Sequence, residues 1–250
     1  MVKQEKNKNE FSKFFNSTDY ITLKNQLFNY KFRKYMLAKA YRKHKSAGKE
    51  IKILDVGCGI SPVSPNYKKT TFIDSDRNAM NLLKKSGYKT LKGDVEKIPV
   101  KNGYADAIFS SEVLEHVHDY KKGIKEFHRA LKIGGILFIT VPTHMKYWAF
   151  DDDYVGHLRR FDPVKLANEV KQSGFDIIEV KPIGSFIERE LTKFLVKKAI
   201  KEGNRKMRIG KFKMTAFEMI NKMLFGLIYF ACLINNNKNS SIVLIVARKK

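Results

Sequence analysis

The sequence predicts an α/β fold: a doubly wound, mostly parallel sheet of seven strands, preceded by N-terminal helices and interrupted by a helical insertion before the last strand. Three observations predict it. Strand-like and helix-like segments alternate from residue 51 to residue 180. A glycine turn, "GCG", directly follows the first of those strands. The run "ILFITV" is apolar nearly throughout, as a strand buried on both faces must be.

The elements follow in order. The first ten residues are polar and read as a tail. From Phe11 to about Lys45 the chain lacks proline and glycine. Phe14, Phe15, Tyr20, Ile21, Leu27, Phe28, Tyr35 and Met36 interleave there with lysine and arginine, which predicts one or two amphipathic helices. Ala47-Gly48-Lys49 ends that segment. Ile51–Val56 and Thr71–Asp74 read as strands, and Asn78–Ser86 as a short helix stopped by Gly87. Lys89–Lys92 and Ala105–Ser110 are the third and fourth strands. Lys121–Leu131 carries Ile124, Phe127 and Leu131 at helical spacing, and Gly134-Gly135 closes it before the fifth strand, Ile136–Val141. Pro163–Ser173 is a helix capped by Gly174; Phe175–Val180 and Ser241–Ala247 complete the sheet. The chain thus divides into N-terminal tail and helices (1–48), a core (49–187 with 238–250) and a basic, apolar helical insertion (188–237).

Within the insertion, "MLFGLIYFACLI" gives twelve uncharged residues, Met223–Ile234. A bilayer span needs about twenty, so a buried or interfacial helix is expected. Net charge is +24, and it is uneven. Residues 1–50 hold 13 Lys/Arg against 4 acids, residues 51–188 hold 21 against 18, and residues 189–250 hold 15 against 3. An anionic partner would therefore meet the flanks rather than the core. Two cysteines, Cys58 and Cys232, make neither a disulfide framework nor a CxxC metal pattern. That fits a reducing, cytoplasmic location, and the N-terminus lacks the apolar region of a secretory signal. No metal is expected: the acid run Asp151–Asp153 lacks the ligand spacing of a calcium loop.

The loop "KILDVGCGISPVSPNY" carries the functional signal. Gly57 and Gly59 suit a turn where backbone approaches a ligand closely, and Asp74 at the end of the next strand can accept two ribose hydroxyls. A dinucleotide fingerprint fails because Pro62 stands at its sixth position, and the G-K-[ST] of a Walker loop is absent. What remains is G-x-G with Asp55 two residues ahead. This resembles motif I of the class I S-adenosylmethionine-dependent methyltransferases, of the type 11-like group. "GDVEKIPVKNGYADAIFSSEVLEHV", "RALKIGGILFITVP" and "HLRRFDPVKLANEVKQSGFDIIEV" resemble later segments of that family in the right order.

The resemblance implies a Rossmann-like fold and S-adenosyl-L-methionine as cofactor. Gly57 and Gly59 would meet its methionine and ribose parts, with Asp55 orienting the turn and reaching the amino group of the cofactor. Asp74 would take the ribose, Asp94 the adenine amino group with Val95 packed nearby, and Ser110 the methionine end. Cys58 reads as a small buried filler. The loop departs from the family at Ser61-Pro62. Ser61 can N-cap a helix and Pro62 suits its first position, so a single short helical turn is expected there.

Methyl transfer to a protonated oxygen or nitrogen needs a base. Glu112, His116 and His157 are the candidates, with His144 less favoured; a helix beginning after the fourth strand would set Glu112 and His116 on one face. His157, Arg159 and Arg160 either clamp an anionic group or pair with Asp151–Asp153 and close their loop. Tyr147 and Trp148 either wall an acceptor pocket or pack under a lid. The expected acceptor is a small molecule or lipid, with an anionic membrane surface as partner of the basic flanks. The alternatives are RNA or protein as acceptor, and a methyltransferase fold that binds without catalysis.

Overall fold

The computed structural model describes residues 27–45, 51–202, 211–234 and 238–250. Seven strands form one sheet: β1 (Ile53–Val56), β2 (Thr70–Asp74), β3 (Lys89–Lys92), β4 (Ala105–Ser111), β5 (Leu131–Pro142), β6 (Phe175–Pro182) and β7 (Ile242–Lys249), in the spatial order 3-2-1-4-5-7-6. β1 to β5 pair in parallel, and β7 runs antiparallel to both β5 and β6. The chain grows outward in opposite directions from β1 and β4, and a ligand crevice belongs beyond the carboxyl ends of those two strands.

Side-chain alternation assigns each strand residue to one face. Leu54, Val56, Ile108, Leu137, Ile139, Val243 and Ile245 pack on one side with α3 (Tyr120–Ala130) and α5 (Pro163–Gln172), whose Ile124, Phe127, Leu166 and Val170 are buried. Ile53, Phe109, Ile136, Phe138, Leu244 and Val246 face the other way, toward α1 (Phe28–His44) and α7 (Lys211–Ile234). There Phe109 and Phe138 stack with ring centroids 4.7 Å apart, and Tyr41 of α1 packs across both. A smaller cluster under β2 joins Cys58 and Phe72 to Ala79, Met80 and Leu83 of α2 (Arg77–Lys85). Cys58 is a buried filler, as its size suggests.

Three local expectations need correction. Leu131 does not end α3; it opens β5, and Gly134-Gly135 lies inside that strand where the β4–β5 register shifts. No helical turn follows Ser61. Its N–H donates to the Cys58 carbonyl (3.3 Å), and the chain stays irregular until a 3₁₀ turn at Tyr67–Lys69. Pro62 and Pro65 lack the N–H groups that a helix would use, and each biases the residue before it toward extended backbone. Nor does a helix start after β4. Glu112 has φ +56°, a 3₁₀ turn spans Leu114–His116, and α3 begins at Tyr120 with Asp119 as its N-cap. Glu112 and His116 therefore share no helix face.

The insertion between β6 and β7 consists of α6 (Phe186–Glu202) and α7. No described helix is long and apolar enough to cross a membrane. α7 packs on α1 through Phe225 and Tyr229, whose rings meet Phe32 and Tyr35 edge-on. The N-terminal residues predicted to be helical before Leu27 lie outside the described residues.

Candidate functional site

The glycine turn is built as the spacing requires. Gly57 has φ +72°, and a Cβ placed on it would stand 2.5 Å from a Val113 methyl, so any larger residue collides. Gly59 has φ +50° and open space where its side chain would be. Its N–H donates to Asp74 Oδ2 at 2.7 Å, while Asp74 Oδ1 accepts from the Asp76 N–H at 2.8 Å. Asp74 thus ties the turn to the end of β2 and still has lone pairs for a vicinal diol. Burial pushes its carboxyl above the usual range, partly offset by those two donors.

Asp55 anchors the loop from within. Its Oδ2 accepts the N–H groups of Val63 and Ser64, both at 2.8 Å, holding the helix-less loop in place. Complete burial lifts its pKa to about 7 against the pull of those donors and of Lys34. From outside, Tyr30 and Tyr67 both donate to the Pro62 carbonyl at 2.8 Å, and Lys34 Nζ donates to the Tyr67 hydroxyl at 2.9 Å. Tyr67 meets Phe72 and Tyr88 edge-on, within the cluster under β2.

Asp94 stands two residues beyond Lys92, the register partner of Asp74, so both acids sit at the same edge on neighbouring strands. Asp94 is exposed, accepts from the Glu96 N–H (2.8 Å), and is followed by buried Val95. Ser110 is buried at the end of β4, and its hydroxyl has no hydrogen-bond partner; the same holds for Ser61 in the loop. An open glycine, a ribose-ready acid, an exposed acid beside an apolar residue and two orphaned hydroxyls fit S-adenosylmethionine. Gly57, Gly59, Asp74, Asp94, Val95 and Ser110 are the residues that would hold it.

The second half of the site lies past β4 and β5. Glu115, unremarked in the sequence reading, is 0% exposed, and neither of its oxygens has a hydrogen bond. Burial, reinforced by the Glu112 charge, raises its pKa well above the usual carboxylate value. His157 Nε2 stands 3.8 Å from Glu115 Oε1, and its Nδ1 is 2.7 Å from Asp152 Oδ1. Burial would raise the Asp152 pKa, but hydrogen bonds from His157 and Arg160 bring it down to about 2. An ionised Asp152 accepts a hydrogen bond from Nδ1–H, which leaves Nε2 as the nitrogen facing Glu115.

Arg160 and Arg189 complete the charge balance: Arg160 Nε donates to Asp152 Oδ1 (3.0 Å), and Arg189 Nη2 to Asp152 Oδ2 (2.8 Å) and Asp151 Oδ1 (2.7 Å). The loop-closing alternative is therefore the one seen for His157 and Arg160. Arg159 instead donates to the carbonyls of Val117 and His118 and lies over the Tyr120 ring. Glu112 accepts from Thr140 Oγ1 (3.2 Å) and pairs with Arg33 of α1 at 3.5 Å.

His116 packs edge-on against His157, with ring centroids 4.7 Å apart. Glu115, His116 and His157 each offer a donor atom within 4.8 Å of the others, a spacing that can take a cation. The guanidinium groups of Arg33 and Arg160 pull the Glu115 pKa down, but burial outweighs them. Tyr147 and Trp148 brace the neighbouring segments, donating to the Asn239 carbonyl (3.0 Å) and to Asp153 Oδ1 (3.1 Å).

A cleft of about 540 Å³ opens beside this network, with Met145, Phe161 and Leu166 as apolar wall and Lys146, Arg159 and Lys165 around it. A hollow of about 300 Å³ lies at the amino ends of β1 to β3, the wrong edge for a ligand in such a sheet.

Sheet order, glycine turn and successive carboxylates define a doubly wound α/β protein with a nucleoside-sized cradle at the carboxyl ends of β1 and β2. A family model described as a methyltransferase domain matches residues 25–180, more than half of the chain. The chain belongs to that family, within the class I S-adenosylmethionine-dependent methyltransferases.

Among curated relatives, 2-methyl-6-phytyl-1,4-hydroquinone methyltransferase of Arabidopsis thaliana is 26% identical over 148 residues, covering 54% of this chain and 43% of that protein. Demethylmenaquinone methyltransferase of Chlorobaculum tepidum is 28% identical over 145 residues, covering 55% and 60%. The chain thus spans about half the length of such relatives. Phosphoethanolamine N-methyltransferase 2 of Haemonchus contortus, solved with S-adenosyl-L-methionine, shares the fold with a TM-score of 0.56 at 18% identity, covering 96% of this chain and 60% of that one.

Proposed function

We propose that the protein transfers a methyl group from S-adenosylmethionine to a small, lipid-like acceptor whose nucleophile starts protonated, working from the cytoplasmic side. The cofactor, when bound, supplies an electrophilic methyl on a sulfonium. The chain's residues supply position, exclusion of water and a route for the proton. The observation that carries the reading is Glu115: fully buried, without a hydrogen bond, and 3.8 Å from a histidine fixed by Asp152. With Nδ1 held by Asp152, the imidazole presents Nε2 as the atom that takes the acceptor's proton as the methyl leaves the sulfonium.

In this reading His157 Nε2 is the base that keeps the acceptor's proton, and Glu115 is the buried carboxyl that faces and positions it. Glu112 is held in place by Arg33 and Thr140. Support for a lipid-like acceptor comes from the phytyl-hydroquinone and demethylmenaquinone enzymes among the relatives, and from apolar surface on the insertion.

The test is transfer of labelled methyl to prenylated and unprenylated hydroquinones, alongside calorimetric titration with S-adenosylhomocysteine. Micromolar binding with transfer favouring the prenylated acceptor is expected. Binding without transfer to either hydroquinone would overturn the acceptor class. Absence of binding would overturn the donor.

A further inference from the structure

Among the described residues, one face of α7 is apolar and uncovered. Met219, Met223, Leu227 and Phe230 recur at helical spacing and are 68%, 62%, 55% and 65% exposed. Gly226, on the same side, looks into open space. The opposite side is occupied: Ile228 and Cys232 are buried, and Leu224, Phe225 and Tyr229 pack against the α1 cluster. α6 exposes Phe186, Ile187 and Phe194 as well. The surrounding sequence is strongly basic. Residues 189–250 carry net +12, from 15 Lys/Arg and 3 acids, and Lys222 is exposed beside the apolar row.

We propose that this face of α7 docks the protein onto an anionic bilayer, with the helix lying in the headgroup plane. A second copy would bring the same positive charge against itself, whereas an anionic lipid surface is complementary to it. No described helix is long and apolar enough to span, so the helix rests on the membrane rather than crossing it. The inference deepens the lipid-acceptor reading by naming the surface from which such an acceptor is drawn, although its geometry is independent of the chemistry.

The test is flotation of the full chain with phosphatidylcholine vesicles and with vesicles carrying phosphatidylglycerol, without cofactor or acceptor. Enrichment on the anionic vesicles is expected, falling about tenfold or more at high salt. Leu227→Glu with Phe230→Glu is expected to abolish it while leaving S-adenosylhomocysteine binding unchanged. If that double variant fails to melt cooperatively, Met223→Gln takes its place and is expected to weaken binding about threefold or more.

Equal binding to neutral vesicles, or binding unaffected by the substitutions, would overturn the proposal. So would a stable dimer by light scattering that the substitutions disperse, which would assign the face to a second copy. Because no methyl transfer is read, failure here is distinct from failure of the acceptor assignment.

Discussion

The two halves of the site treat their carboxylates differently. On the cofactor side, Asp55, Asp74 and Asp94 are held by backbone N–H groups donated from within two to fifteen positions along the chain. On the acceptor side, Glu112, Asp151 and Asp152 are balanced by Arg33, Arg160, Arg189 and His157, and the Arg33 and Arg189 pairs join parts of the chain remote in sequence. Backbone donors cannot be substituted away, so the first half is a fixed cradle. Side-chain partners can be removed one at a time by substitution, so the second half is where charge and specificity can be tuned.

The largest effect should come from breaking the second half at its centre. Asp152→Asn leaves Arg160 and His157 without their buried counter-charge, and unfolding in denaturant should show a loss of about 3–5 kcal/mol. Glu115→Gln keeps a neutral group of similar shape. It should fold and bind S-adenosylhomocysteine normally, but lower kcat about 100-fold, with a changed pH profile. Asp74→Ala acts on the first half only, weakening S-adenosylhomocysteine by about 10- to 100-fold in calorimetry with little change in the melting of the second half.

The last effect is a slope in pH rather than a single loss. Asp55 has a folded pKa near 7, above its unfolded value, so the native state holds the extra proton and stability should decline as pH rises from about 4 to 7. Asp152 is depressed to about 2, so its contribution is present above pH 4 and lost as pH falls toward 2. Denaturation of Asp55→Asn across pH 4 to 7 should show a flatter profile than the parent.

The same division explains what could be read in advance. Strand alternation, the GCG turn and the acid ending β2 are local patterns, and the cradle follows from them. The missing helix after Ser61 was less legible, because N-cap chemistry at Ser61-Pro62 competes with a buried acceptor, Asp55, that draws Val63 and Ser64 another way. Glu115 gave no local signal at all: it sits three residues from Glu112 in a short 3₁₀ turn, and its burial comes from segments more than forty residues away, around His157 and Arg160. A run of three aspartates followed by H-L-R-R was the available hint of an internal charge network. Arg33 could not be placed by any nearby pattern, since only the folded position of α1 brings it to Glu112.

α1 touches three things at once. Phe32 and Tyr35 lean on α7, Tyr30 grips the carbonyl of Pro62, and Arg33 reaches Glu112. A single rigid rod therefore links the outer helix, the cradle loop and the acid network. Because one helix carries all three contacts, a substitution that unseats it is expected to disturb all three regions together.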